Sequence, residues 1–241
     1  MLARYIWFRH HNRERMARPP PETIAILMDR AQTIAGRQLG WLAARLELPV
    51  PADLRRSKGW IGQLLEAELG ATGGSKAQHD FPQLGVELKT LPVSPKGKVR
   101  ESTYVCTAPL DGSMSSSWED CWVRRKLSRV LWVPIVGDTR TPPGERVVGS
   151  PLLWRPEPEE DTQLRKDWEA LSEMISLGEL WQLDARKGVV LQLRPKAAHG
   201  SEMTWMLDDQ AEWVQANPRG FYLRTRFTQA LVDRSYATAI P

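Results

Sequence analysis

The stretch Asp80-Phe81-Pro82-Gln83-Leu84-Gly85-Val86-Glu87-Leu88-Lys89 places two carboxylates and an ammonium around a short turn and a strand. Gly85 to Leu91 alternates apolar and polar residues, so a strand here turns Glu87 and Lys89 to one face and Val86 and Leu88 to the core. Pro82 and Gly85 punctuate the connection before it, which lets the chain fold back and bring Asp80 beside Glu87. Magnesium takes oxygen ligands in octahedral geometry, usually one or two protein carboxylates with water and substrate phosphate filling the other positions. Asp80 and Glu87 meet that requirement. Lys89 would then sit beside the phosphate, orienting the attacking water and offsetting charge on the phosphorus oxygens. A Glu-x-Lys triplet arises by chance about once in a chain of this length, and most such triplets are solvated strand faces. This one is the only Glu-x-Lys in the sequence, lies in an apolar strand frame and has an Asp at workable distance. The pattern points to magnesium-dependent phosphodiester hydrolysis.

Working outward, periodicity predicts helices over Thr23 to Ile34, Leu39 to Leu46, Gly59 to Leu69, Glu119 to Lys126 and Glu159 to Leu177. The acidic Glu157, Glu159, Glu160 and Asp161 mark the start of the last of these. Strands are expected over Gly85 to Leu91, Ser102 to Thr107, Val130 to Val136, Leu180 to Leu183 and Val189 to Arg194. Tyr222 is placed on a turn before a final helix, Thr228 to Ser235, and Gly137 to Gly144 reads as a surface loop. Helices and strands in this mixture make an α/β chain, and 241 residues suffice for one sizeable core or one domain of two lobes. Trp168, spaced helically with Leu164, Leu171 and Ile175, reads as core.

A second set of segments accompanies the catalytic pattern. Lys58-Gly59-Trp60-Ile61-Gly62-Gln63-Leu64-Leu65-Glu66 and Gly74-Ser75-Lys76 precede it. Val123-Arg124-Arg125-Lys126-Leu127, Val148-Gly149-Ser150-Pro151-Leu152-Leu153-Trp154, Leu193-Arg194-Pro195-Lys196-Ala197-Ala198 and Pro218-Arg219-Gly220-Phe221-Tyr222-Leu223 follow it. In this order they resemble the MutH family of DNA mismatch-repair endonucleases, over about residues 20 to 235. The resemblance implies a restriction-endonuclease-like mixed sheet flanked by helices, with two lobes around a DNA-binding cleft. It implies magnesium-dependent nicking of the unmethylated strand at hemimethylated GATC sites, switched on by a MutL-type ATPase that a MutS-type sensor recruits. By matching position it makes Asp80, Glu87 and Lys89 the catalytic trio, supported by Glu66 and Lys126, with Asp80, Glu87 and Leu88 at the metal. Lys58, Gly59, Lys76, Arg194, Pro195, Lys196 and Tyr222 become DNA-binding positions, with Arg194 reading bases and Tyr222 sensing adenine methylation.

Each residue also has an ordinary reading. Glu66 lies at the edge of the stripe Ile61, Leu64, Leu65 and Leu69, where a solvated helix Glu would look the same. Lys126 belongs to a cationic run, Arg124 to Arg129, that could touch phosphate or simply face solvent. Arg194 and Lys196 are expected on a loop at a strand end, where Arg can pair bidentately with guanine or contact phosphate alone. Tyr222 could press on an adenine edge or be a half-buried core residue. Gly70 to Lys76 is glycine-rich, but Ser precedes Lys and a helix precedes the loop, which excludes a nucleotide phosphate loop. His79 has no second His or Cys at zinc-ligand spacing.

The net charge of +4 resides in residues 1 to 18, where five arginines face one glutamate, and the remainder is neutral. Bulk charge therefore gives no separate argument for DNA, and any attraction must come from local clusters. Residues 1 to 18 read as a disordered extension outside a single domain of residues 19 to 241, with Met16 as an alternative start. Tyr5 to Phe8 is too short for a membrane span or signal core. Cys106 and Cys121 have neither metal nor redox spacing, which suits a reduced cytoplasmic compartment, and a monomer is expected. A restriction enzyme cutting both strands, or a silent DNA-binding module, would share the fold.

Overall fold

The structure is a computed structural model, and it describes residues 18–74, 78–179, 187–196, 202–210 and 212–237. Lys76, residues 1–17 and the strand expected over Leu180 to Leu183 lie outside the described residues. The chain forms two compact units. One combines residues up to Lys98 with Arg129–Trp154, and the other combines Val99–Ser128 with residues from Arg155 onward.

The first unit begins with helices α1 (Ile24–Thr33), α2 (Leu39–Arg45) and α3 (Trp60–Leu69). Thr23 caps α1 by accepting the Ile26 N–H at 3.2 Å, which satisfies one of the amides a helix start leaves orphaned. α3 is bounded by two left-handed glycines, Gly59 at φ +87° and Gly70 at φ +84°. Strand β1 (Glu87–Val93) runs parallel to β3 (Val130–Val136), with Glu87 opposite Val130 and Lys89 opposite Trp132. The short strands β4 (Val147–Val148) and β5 (Leu152–Trp154) add antiparallel to the other side of β3. β3 is buried along almost its whole length, as a central strand should be. One face of this mixed sheet, with Val86, Leu88, Leu131, Val133 and Ile135, packs with Leu27, Leu42, Leu64, Leu65 and Leu69 of the helices into a continuous core. Opposite parity along β1 therefore turns Glu87 and Lys89 to the other face, as the alternation predicts.

α3 also buries an acid that its apolar stripe conceals. Glu68 is fully buried, and its Oε1 accepts from Arg45 at 2.6 Å and lies 3.2 Å from Arg18. The Arg18 amide in turn donates to the Ala67 carbonyl, so this ion cluster ties the first described residue to α2 and α3.

The second unit is built on β2 (Thr103–Ala108), β6 (Leu191–Pro195) and β9 (Arg219–Leu223), with β9 in the middle and both pairings antiparallel. Helix α4 (Trp122–Leu127) precedes β3 in the chain. Helix α5 (Pro158–Ser176) starts with a reciprocal capping box between Glu157 and Glu160. Its Leu164, Trp168, Leu171 and Ile175 are buried, in agreement with their helical spacing. A hairpin of β7 (Thr204–Leu207) and β8 (Trp213–Ala216) leads into β9, and α6 (Thr225–Ala237) closes the described chain.

Two sequence expectations are corrected here. Tyr222 lies not on a turn but inside β9, the central strand, paired with Tyr104 on one side and Gln192 on the other. Arg194 and Pro195 lie not on a loop but in the last residues of β6, and Lys196 just beyond is held by its amide donating to the Pro218 carbonyl. Pro218 and Gly220 suggest a turn, yet Pro218 stands just before the strand and Gly220 is a fully paired strand residue.

Candidate nuclease site and nucleic-acid face

The connection before β1 folds back as the Pro82 and Gly85 punctuation predicts. Pro82–Leu84 forms one 3-10 turn, Gly85 takes φ +60°, and Phe81 bridges to Val86. This reversal carries the Asp80 carboxylate to the strand, where Oδ2 accepts the Leu88 N–H at 2.7 Å. From the other side the Asp80 carbonyl accepts the amides of Thr72 and Gly73. A Cβ at Gly73 would stand 2.2 Å from the His79 carbonyl oxygen and 2.9 Å from the Asp80 Cα, so this approach requires glycine.

On the strand itself, Lys89 Nζ donates to Glu87 Oε1 at 2.9 Å. Glu87 is 3% exposed and the Lys89 side chain 15%, a mostly desolvated pair in which each charge offsets the other's burial cost. Thus Asp80 is anchored at Leu88, directly between Glu87 and Lys89. Two carboxylates at one turn of strand, with water and phosphate oxygens to complete the shell, suit magnesium, which rarely uses more protein ligands. The Leu88 side chain is buried in the core and its N–H is committed to Asp80, so its one route to a metal is its carbonyl.

The second constellation lies on the second unit. Leu191, Leu193, Phe221 and Leu223 are buried on one face of the β2–β9–β6 sheet. The opposite parity presents Tyr104, Tyr222, Thr107 and Arg194 around Gly220, which pairs with Thr107 and Arg194. The two tyrosine rings meet edge to face at 5.3 Å. Arg194 lies 5.9 Å from the Tyr222 ring and donates to Ser102 Oγ at 2.6 Å. Lys196 lies 5.5 Å from the Tyr104 ring and donates to Thr107 Oγ1 at 2.6 Å, the same hydroxyl that contacts Tyr104 Oη at 2.9 Å. Burial and the neighbouring Tyr104 raise the Tyr222 pKa above its usual 10.0, with Arg194 opposing them. Tyr222 therefore keeps its O–H across the neutral range. Two exposed cations and two aromatic faces make a surface that can meet both phosphate and bases.

Residues 69–167 match the family model described as DNA mismatch repair enzyme MutH. The DNA mismatch repair protein MutH of Vibrio cholerae serotype O1 (strain M66-2) is 52% identical over 220 residues, which is 91% of this chain and 100% of that protein. Its counterpart in Serratia proteamaculans (strain 568) is 50% identical over 218 residues, 90% of this chain and 96% of that protein. The chain belongs to the MutH family. As a MutH-family mismatch-repair endonuclease it is a nuclease, and its mixed sheets flanked by helices are the restriction-endonuclease-like fold.

Within this MutH-family chain, the other expected positions divide between the units. Glu66 is half-buried on α3, and its carbonyl accepts the amides of Gly70 and Ala71 that open the loop toward Asp80. Lys58 is exposed beside Gly59, whose left-handed backbone caps the start of α3. Lys126 belongs to the second unit, half-buried on α4, with its Nζ 5.3 Å from the Trp122 ring. Tyr104 and Thr107 carry no role that the sequence makes legible, though Tyr104 directly faces Tyr222. Their signal was present in the expected strand Ser102 to Thr107, but its partner is more than a hundred residues away.

Proposed function

We propose that this chain nicks the unmethylated strand of hemimethylated GATC sites in duplex DNA. In this reading its activity depends on magnesium and on a MutL-type ATPase recruited through a MutS-type sensor. The observation that carries the reading is the anchoring of Asp80 at Leu88 between Glu87 and Lys89. Asp80 and Glu87 would hold the metal, with the Leu88 carbonyl available to it. Bound there, magnesium supplies a more acidic water and a Lewis acid for the scissile phosphate. Lys89, already desolvated, stands where its ammonium offsets charge that develops on the phosphorus oxygens. Glu66 and Lys126 support the site, Lys58, Gly59 and Lys76 contact the DNA backbone, and Arg194, Pro195 and Lys196 position and read the duplex. Tyr222, protonated and edge-on to Tyr104, would feel an added N6-methyl as lost space and one fewer hydrogen-bond donor on adenine.

The test is nicking of a plasmid with one GATC site in unmethylated, hemimethylated and fully methylated forms, with magnesium, with and without a MutL-type protein and ATP. Cleavage confined to unmethylated strands, stimulated by the partner and reduced at least about 100-fold by Glu87→Ala, is the expected result. Partner-independent cleavage of both strands would identify a restriction enzyme instead, and binding without cleavage a silent module.

A further inference from the structure

The β7–β8 hairpin leaves two tryptophans in solvent. Trp205 is 56% exposed and Trp213 55%, the two most exposed of the large apolar side chains among the described residues. Trp205 pairs with Gln215 and Leu207 with Trp213, so strand parity puts Trp205, Leu207, Trp213 and Gln215 on one face. The other face carries the buried Met206, which seats the hairpin on its own unit, where the Leu207 amide donates to the Leu110 carbonyl. The two indoles are thus diagonal neighbours on an outward surface.

Two accessible indoles elsewhere in this chain, Trp41 and Trp122, are covered by its own cations. Arg37 and Arg45 lie 5.2 and 5.4 Å from the Trp41 ring, and Lys126 lies over Trp122. Among the described residues no such cation lies over Trp205 or Trp213. The local sequence explains why. Residues 202–217 contain Glu202, Asp208, Asp209 and Glu212 and no lysine or arginine. Such a segment repels a polyanion, which argues against bases stacking on these rings. It attracts a cation, and an Arg or Lys stem laid on an indole face is a favourable partner for such a surface.

We propose that the Trp205–Trp213 face is a protein-docking surface for a partner segment that presents arginine or lysine among apolar side chains. The apolar stems cover the indoles, and the charges meet the flanking carboxylates. Trp is enriched at interface hot spots, and a neighbouring pair left more than half exposed is what an unoccupied hot spot looks like.

The experiment titrates the full-length protein into a fluorescein-labelled 12-residue peptide of alternating Leu and Arg, and follows anisotropy. The same peptide with Glu for Arg, and a labelled 20-base-pair duplex, run in parallel. Trp205→Ser and Trp213→Ser change only solvent-exposed side chains, and unaltered circular dichroism establishes that each variant is folded. The proposal expects binding of the Leu-Arg peptide, weakened at least about tenfold by each Ser substitution, and none of the Glu peptide. Equal affinity of wild type and variants for the Leu-Arg peptide overturns it. Loss of duplex binding in the Ser variants would make the face a nucleic-acid contact, and loss of a wild-type dimer in sedimentation would make it a self-association surface. Either of these also overturns the proposal.

Discussion

Gly220 governs how closely Tyr104 and Tyr222, the two tyrosines of the proposed recognition face, can sit. A Cβ there would lie 2.9 Å from the Tyr104 Cε2 and 3.2 Å from the Tyr222 Cε2 and the Cys106 carbonyl oxygen. A strand glycine flanked by rings marks a place where a side chain would displace an aromatic. Gly220→Ala is therefore expected to cost about 1–3 kcal/mol through overpacking and to push the rings apart. Thermal unfolding together with near-ultraviolet circular dichroism checks both effects, and an alanine that leaves the two unchanged would show that the rings do not rest on this position. Residue-scale legibility was uneven for a physical reason. Asp80, Glu87 and Lys89 lie within ten residues, so turn chemistry and strand parity alone brought them together. Glu68 is not legible beside Glu66, because its two arginine partners, Arg18 and Arg45, come from other segments, and a helix stripe shows apolarity without showing ion pairs.

At the scale of elements, β6 owes its place to a single carboxylate on α5. Asp167 is 4% exposed and accepts the amides of Val189, Val190 and Leu191 at 2.9, 2.6 and 2.8 Å. Arg224 takes the carbonyls of Lys187 and Gly188, and Arg226 that of Val189, so both sides of the turn into β6 are fixed. Hydrogen bonds to an ionised acceptor are the stronger kind, and a buried network fails when one member is removed. Asp167→Asn sets an amide NH₂ against N–H donors and is expected to cost about 2–4 kcal/mol. Urea unfolding reads that loss, while hydrogen exchange should show the Val190 and Leu191 amides opening before those that follow along β6. Loss of stability with those amides still protected would mean that Asp167 acts elsewhere. The strand Val189 to Arg194 was legible from its apolar run, whereas its clamp was not, since an Asp on a helix ordinarily reads as solvated. The β7–β8 hairpin was missed because each strand has only four residues and its turn is built by Asp208, which accepts the Gln210 and Glu212 amides, without a glycine.

At the scale of the whole molecule, charge and chemistry occupy different parts of the sequence. The carboxylates and lysine of the candidate nuclease site belong to the first unit, and the tyrosines and cations of the proposed recognition face belong to the second. The net charge of +4 comes from neither, because residues 1–18 carry five arginines and one glutamate and the rest of the chain is neutral. Affinity for DNA that depends on released counterions follows the cations that actually touch phosphate. Deleting residues 1–17 removes four arginines and one glutamate and leaves a net charge of +1. If these arginines contact the duplex, the deletion weakens nonspecific binding. It also flattens the plot of log affinity against log salt by no more than about 0.9 per arginine. Nicking should persist, because Asp80, Glu87 and Lys89 are held by their own turn and strand. Anisotropy titrations of a duplex lacking GATC, from low to physiological salt, measure the slope for both chains. The expected outcome is a shallower slope with cleavage retained. An unchanged slope would assign the whole electrostatic footprint to local clusters such as Arg194 and Lys196, and the arginine-rich segment would then play no part in holding DNA.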